Sequence, residues 1–229
     1  MPDARNLIRT SGLTLVAAGV LYLPLPFIPS WTRIEDIGTP IWQLVYHLAT
    51  LHHFVLLFGL FGLFAAQAHR AGGLGLIAFI VTSLGNALVG GIGIVQLTIL
   101  PVLAANPDVQ AMLICTPFYA PATASAEGFI ASACAAWNFD VLGSWAGASW
   151  LLLMVGSIAL GVAIARAGVL PRWPGLLLVL GWLYVAGGLL FPLPDAIANL
   201  GLAVIGAGYA ACGWFVWTAG RRMGPAAAA

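Results

Sequence analysis

Apolar residues gather along this chain in six long blocks, at about 8–28, 41–66, 74–100, 142–165, 174–191 and 197–217, with polar or proline-containing breaks between them. Each block is close to the ~20 residues an α-helix needs to cross the hydrocarbon core of a bilayer. Polar residues inside the blocks do not recur at a period of two, which argues against the strands of a barrel. Backbone N–H and C=O groups in lipid must pair within their own segment, so helices are expected. The pattern predicts an all-α membrane protein: one transmembrane domain over residues 1–229, built as a six-helix bundle. The break at about 101–141 is the longest, and Met112, Leu113, Ile114, Phe118, Tyr119, Phe129 and Ile130 make it too apolar for a disordered tether. Its alanine-rich stretch 123–137 predicts a short helix lying on the membrane interface.

Composition strengthens the membrane assignment. The chain is 62% hydrophobic and 7% charged, with no lysine, where a soluble domain carries about 25% charged residues. So few ionised groups cannot keep a water-facing surface soluble, so lipid must cover most of it. A net charge of +1 excludes the broad basic face that nucleic-acid binding requires. Arg5 and Arg9 precede the first block as in a signal peptide, but no small-x-small cleavage site stands near its end at Leu23-Pro24-Leu25-Pro26. The block reads as an uncleaved signal-anchor helix.

Charge then sets an orientation. Arg5, Arg9, Arg70, Arg166, Arg172, Arg221 and Arg222 all fall on one side of the six-span pattern, and only Arg33 falls on the other, beside Glu35 and Asp36. The positive-inside rule therefore puts both termini in the cytoplasm and the long 101–141 connection outside. Trp31, Trp42, Trp137 and Trp145 are expected near the outer interface, with Trp173, Trp214 and Trp217 near the inner one. Abundant Ala, Gly and Arg without Lys suits a bacterial cytoplasmic (inner) membrane protein from a GC-rich genome.

Two turns echo one another. Gln67-Ala68-His69-Arg70-Ala71-Gly72 leads to Gly75-Leu76-Ile77, and Ile164-Ala165-Arg166-Ala167-Gly168 leads to Gly175-Leu176-Leu177. Either spans 2–3 and 4–5 are parallel repeats of one hairpin, or two short cytoplasmic turns share arginine and glycine for topological reasons; the second is favoured, since short matches arise easily. Through these segments, and most of all through Ala167-Gly168-Val169-Leu170-Pro171-Arg172-Trp173, the chain resembles multi-pass bacterial integral membrane proteins that carry no assigned activity. The resemblance covers spans 2 to 5 and implies a helical membrane fold without bringing any catalytic residue or cofactor.

Candidate chemistry concentrates in span 2, where His47, His52 and His53 are the ionisable residues nearest mid-membrane. Ionisable groups at that depth are rare and mark functional candidates. If spans 2 and 3 turn around residue 71, His47 lies level with about residue 95 and His53 with about 89, near Gln96 and Asn86. Gly85, Gly90, Gly91 and Gly93 leave span 3 nearly bare there, giving room for close packing or a ligand. His47 and His52 are about 140° apart around the helix, and His52 and His53 about 100°, so all three cannot ligate one metal in a straight helix. No second span carries a histidine to complete a bis-histidine haem. The plainest alternative is that the histidines bond to Asn86, Gln96 or backbone carbonyls and hold the bundle in register.

Outside that layer, Cys115 and Cys134 sit in the outer connection, where a disulfide would persist; closing that loop would contribute roughly 3 kcal/mol, and free cysteines are the equal alternative. Gly143-x-x-x-Gly147 offers a small-residue packing face for a neighbouring helix, a second copy or a membrane partner. Glu127 and Asp140 are outer-side carboxylates better explained as solvated or capping groups than as an acid–base pair. Pro192 and Pro194 end span 5, and Asp195 with Asn199 is expected to cap span 6. No phosphate-binding loop, zinc-protease motif, nucleophile elbow or Cys-x-x-Cys is present. The first expectation is a protein that binds or moves a small neutral or weakly basic solute through the layer of His47, His52, His53, Asn86 and Gln96. The alternatives are a non-catalytic scaffold presenting the 101–141 loop, and a histidine-dependent metal or haem protein. Catalysis is the less expected outcome.

Overall fold

The computed structural model describes residues 4–28, 36–106, 140–190, 197 and 200–222, which are helical with no strand among them. The helices are α1 (Ala4–Tyr22), α2 (Pro40–Ala104), α3 (Asp140–Ala167), α4 (Arg172–Leu190) and α5 (Leu200–Arg222), with a 3-10 turn at Leu25–Phe27. Four helical segments, all but α4, are long and apolar enough to cross a membrane. Cys115, Cys134, Glu127, the 123–137 segment, Trp31, Trp137, Arg33, Glu35, Pro192, Pro194, Asp195 and Asn199 lie outside the described residues.

The ends of these helices have local causes. α1 stops at Tyr22, short of the apolar block's end, because Pro24 and Pro26 lack the N–H that an α-helical turn needs. α2 starts where Thr39 caps it, its side chain accepting from Trp42 N at 3.3 Å, with Pro40 in the first turn where a missing donor costs nothing. The sequence pattern separates 41–66 from 74–100 by a loop, yet α2 shows helix on both sides of a single residue. Gly72 alone breaks it, at φ 58° and ψ −161°, a conformation essentially confined to glycine. Gln67, Ala68, Arg70 and Ala71 are good helix formers, so helix persists up to that break. The two limbs, 40–71 and 73–104, fold back on one another: Phe79 stacks on Phe64 with ring centroids 4.8 Å apart.

Neighbouring helices run antiparallel around a closed ring. Gly59 and Gly62 of the first limb abut Leu15 and Ser11 of α1, and Gly85 of the second limb abuts Leu153 of α3. Gly161 of α3 faces Gly175 of α4, and Gly181 of α4 faces Gly201 of α5. The ring closes where Gly12 and Gly19 of α1 meet Gly213 and Gly206 of α5. At each of these places a Cβ would run into the neighbouring helix, so glycine sets how closely the helices approach. Gly147 differs: among the described residues nothing lies within 4 Å of where its Cβ would stand.

Polarity is distributed in reverse of a soluble protein's. Phe58, Phe61, Ile77, Leu151, Leu180 and Leu183 are each more than half exposed, while Thr50, His52, His53, Gln67, Thr82, Asn86, Ser149 and Ser157 are buried. An outer surface of bare aliphatic and aromatic groups suits lipid contact, and the polar side chains turn inward, as intramembrane polar groups do. Trp145, Trp173 and Trp214 are at least half exposed, as interfacial tryptophans would be, but Trp42 is not: it is fully buried and stacked on Tyr46 at 4.3 Å.

Candidate functional site

Three buried polar groups of α2, His52, His53 and Asn86, come together. His53 Nδ1 lies 2.6 Å from Asn86 Oδ1, and Asn86 Nδ2 donates to the His53 carbonyl at 2.5 Å. That second bond fixes the amide's orientation: the nitrogen is committed to a carbonyl, so Oδ1 must accept. His53 therefore carries its proton on Nδ1 and keeps its lone pair on Nε2. His52 follows the same logic with a different partner. Its Nδ1 lies 2.7 Å from the Ala18 carbonyl of α1, which can only accept, so Nδ1 donates.

Aromatic rings pack around the pair. Tyr22 of α1 stacks on His52 at 4.0 Å between centroids, His52 and His53 meet edge-on at 4.9 Å, and Tyr209 of α5 lies 6.5 Å from His52. Tyr209 in turn shares a hydrogen bond of 2.9 Å with Ser157 of α3. Helices α1, α2, α3 and α5 thus meet at one buried polar centre.

A cavity of about 80 Å³ adjoins it, toward the end of the bundle where α1 stops and α2 starts. Tyr22, Leu25, Val45, Tyr46, Thr50, His53, Val89, Gly93, Gln96, Trp150 and Leu202 are among its walls. Thr50 and His53 are three residues apart on one helix and so share a face, one turn from each other. Thr50 is only 7% exposed, and its Oγ1, closed off against Gly93, has no hydrogen-bond partner among the described residues. Opposite them on the second limb, a Cβ on Gly93 would strike Thr50 Oγ1, and one on Gly90 would stand 3.1 Å from His53 Cβ. Glycine here makes room for side chains and for the space beside them.

Of the five residues the sequence singles out, His52, His53 and Asn86 come together, and Gln96 joins His53 at the cavity wall. His47 does not. It is exposed on the outer surface of its helix and bonds through Nδ1 to the carbonyl of Gln43, 2.6 Å away on the same helix. Among the described residues, no three His, Cys, Asp or Glu side chains form a set that could hold a metal ion. Thr50, Tyr22, Tyr209, Ser157 and Trp150 carry no motif; the 3-residue step from Thr50 to His53 was the one sequence signal that could have drawn Thr50 in. No known protein family, no curated protein and no solved structure matches this chain.

Proposed function

We propose that this chain is a bacterial inner-membrane protein that crosses the bilayer six times with both termini in the cytoplasm, and that it binds or moves a small neutral or weakly basic solute between the two limbs of α2. The six crossings are α1, both limbs of α2, α3, α4 and α5. The observation that carries the solute reading is the cavity beside His53, whose wall also includes Gln96. A volume of about 80 Å³ is roughly half that of the ~150 Å³ apolar cavity known to hold benzene, which restricts the solute to a few non-hydrogen atoms.

Reconstituted vesicles test the function. Stopped-flow light scattering with urea and formamide should show faster solute entry with the wild-type protein than with Gly93→Leu, whose Cβ would run into Thr50 and whose remaining bulk would crowd the adjoining cavity. Identical traces for the two proteins, both folded, would sink transport through this layer, and equilibrium binding would then have to be lost in Gly93→Leu for solute binding to survive. The orientation is tested in intact cells: a tag after Arg222 should be shielded from outside, and cysteines 115 and 134 should be reachable.

A further inference from the structure

At the end of the bundle opposite the solute cavity, the turn between α3 and α4 stands beside the last turns of α5. Gly12 and Gly19 of α1 meet Gly213 and Gly206 of α5, so this is the end where α1 begins and α5 finishes. Gly168, at φ 63°, follows the end of α3, and Leu170 anchors the turn by burying its side chain in the core. Trp173, in the first turn of α4, meets Phe215 edge-on with ring centroids 5.8 Å apart. A groove of about 440 Å³ lies here, walled on one side by Val169, Leu170 and Pro171 and on the other chiefly by Trp214, Phe215 and Thr218. Its size falls within the ~300–1,000 Å³ of small-molecule sites.

The wall suits hydrocarbon. Thr218 already donates to the Trp214 carbonyl at 2.9 Å within its own helix, and its neighbours in the wall are aliphatic or aromatic. The rim suits an anion. Arg172 directly follows Pro171, Arg166 lies three residues before Val169, and both are exposed. Arginine lays its methylene stem along apolar surface and keeps its guanidinium in water, where a phosphate can reach it. Under the six-span membrane reading, on which this inference rests, the same side of the sequence carries seven arginines and one acidic side chain, Asp3. Trp173 and Trp214, each about half exposed, are then at the depth of lipid headgroups.

We infer that the groove seats one acyl chain of an anionic phospholipid from the cytoplasmic leaflet, with the lipid's phosphate held by Arg166 and Arg172 at the rim. Basic pockets between helices on the cytoplasmic side recur as anionic-lipid sites. Both halves of the ligand are needed. A free phosphate finds no seat in an apolar wall, and a zwitterionic lipid brings its own cation to its phosphate and gains less from the arginines.

The test uses the full-length protein in phosphatidylcholine vesicles doped with phosphatidylglycerol or phosphatidylcholine brominated on one chain. Trp214 is the reporter, read as the fluorescence difference between wild type and Trp214→Phe. Brominated phosphatidylglycerol should quench Trp214 at an about fivefold lower mole fraction than brominated phosphatidylcholine. Arg166→Gln and Arg172→Gln should each shrink that preference, and Arg172→Lys should keep most of it. Thr218→Phe, which fills the groove and leaves both arginines in place, should abolish it, and glycerol 3-phosphate on both sides of the bilayer should not compete. Equal quenching by the two lipids in the wild type, or an undiminished preference in Thr218→Phe, would overturn the inference. Displacement by glycerol 3-phosphate would do the same, since the site would then hold a headgroup alone. Stronger quenching after deletion of residues 224–229 would show that the chain's own tail fills the groove, and would also overturn it. The membrane reading fails separately: an alkaline carbonate wash would then strip the protein from the vesicles. A protein that stays in the bilayer without preferring the anionic lipid sinks the lipid site alone.

Discussion

The two hairpins of this bundle, 40–104 and 140–190, turn on the same three residues and use glycine in opposite ways. Arg70-Ala71-Gly72 and Arg166-Ala167-Gly168 each end a helix on a glycine with positive φ, 58° at Gly72 and 63° at Gly168. Beyond the turns the likeness stops. In the second hairpin, Gly161 and Gly175 stand backbone against backbone, each occupying the space where the other's Cβ would be. In the first, Gly90 and Gly93 face the side chains of His53 and Thr50, and a cavity remains beside them. Between its own two helices, the second hairpin uses glycine for backbone contact and the first uses it to seat side chains. Glycine spacing alone therefore does not distinguish a packing seam from a cavity wall; what stands opposite decides it.

Substitutions can break that comparison, beginning with the largest effect. Gly161→Leu drives a side chain into the backbone of α4 and should cost ~3 kcal/mol or more of stability, read as a lower midpoint of unfolding in a mild-detergent/SDS titration. A loss below about 1 kcal/mol would mean that the second hairpin is not held by close approach. Next comes Asn86→Leu in the first hairpin. It removes both bonds to His53 and leaves a buried N–H and a buried carbonyl lone pair behind, for about 2 kcal/mol in the same titration. Bonds between membrane helices average only ~0.6 kcal/mol, which sets the floor for that value.

The turns sharpen the comparison at a smaller scale. Gly72→Ala and Gly168→Ala should each cost about 1–2 kcal/mol, because an L-residue is strained at positive φ, although neither glycine has an atom within 4 Å of its absent Cβ. Similar losses would mark the turns as equivalent hinges joined to unlike hairpins. The smallest effect belongs to His47→Ala. With its ring on the outer surface and bonded within its own helix, the change should stay within about 0.5 kcal/mol and leave solute binding intact. A strong defect there would return His47 to the site.

The polar pairing inside the first hairpin was legible from the sequence, and its surroundings were not. Turning spans 2 and 3 around residue 71 sets His53 opposite residue 89, within one helical turn of its partner Asn86, because two antiparallel helices of equal rise keep register over that distance. The same arithmetic fixes depth but not rotation, which is why His47 is level with Gln96 and yet points away from it. His52 bonds to the carbonyl of Ala18, and since every residue has a carbonyl, no pattern of residue types announces that partner. Tyr22, Tyr209 and Ser157 reach the centre only because α1 and α5 close the ring, and the order of helices around a bundle leaves no mark in hydrophobic periodicity. The all-helical class was plain for the opposite reason: it depends on the run length of apolar residues, which the chain states openly. Gly72 was read as part of a loop because a seven-residue polar break ordinarily means one, and a single left-handed residue sufficed instead.

The seam between Gly12, Gly19 and Gly206, Gly213 joins the earliest and latest helices of the chain. A ribosome releases α1 long before α5 exists, so the ring stays an open arc until α5 arrives. During that interval the glycine face of α1 is bare to lipid or to an insertion chaperone, and a chain cut before residue 200 would keep it so.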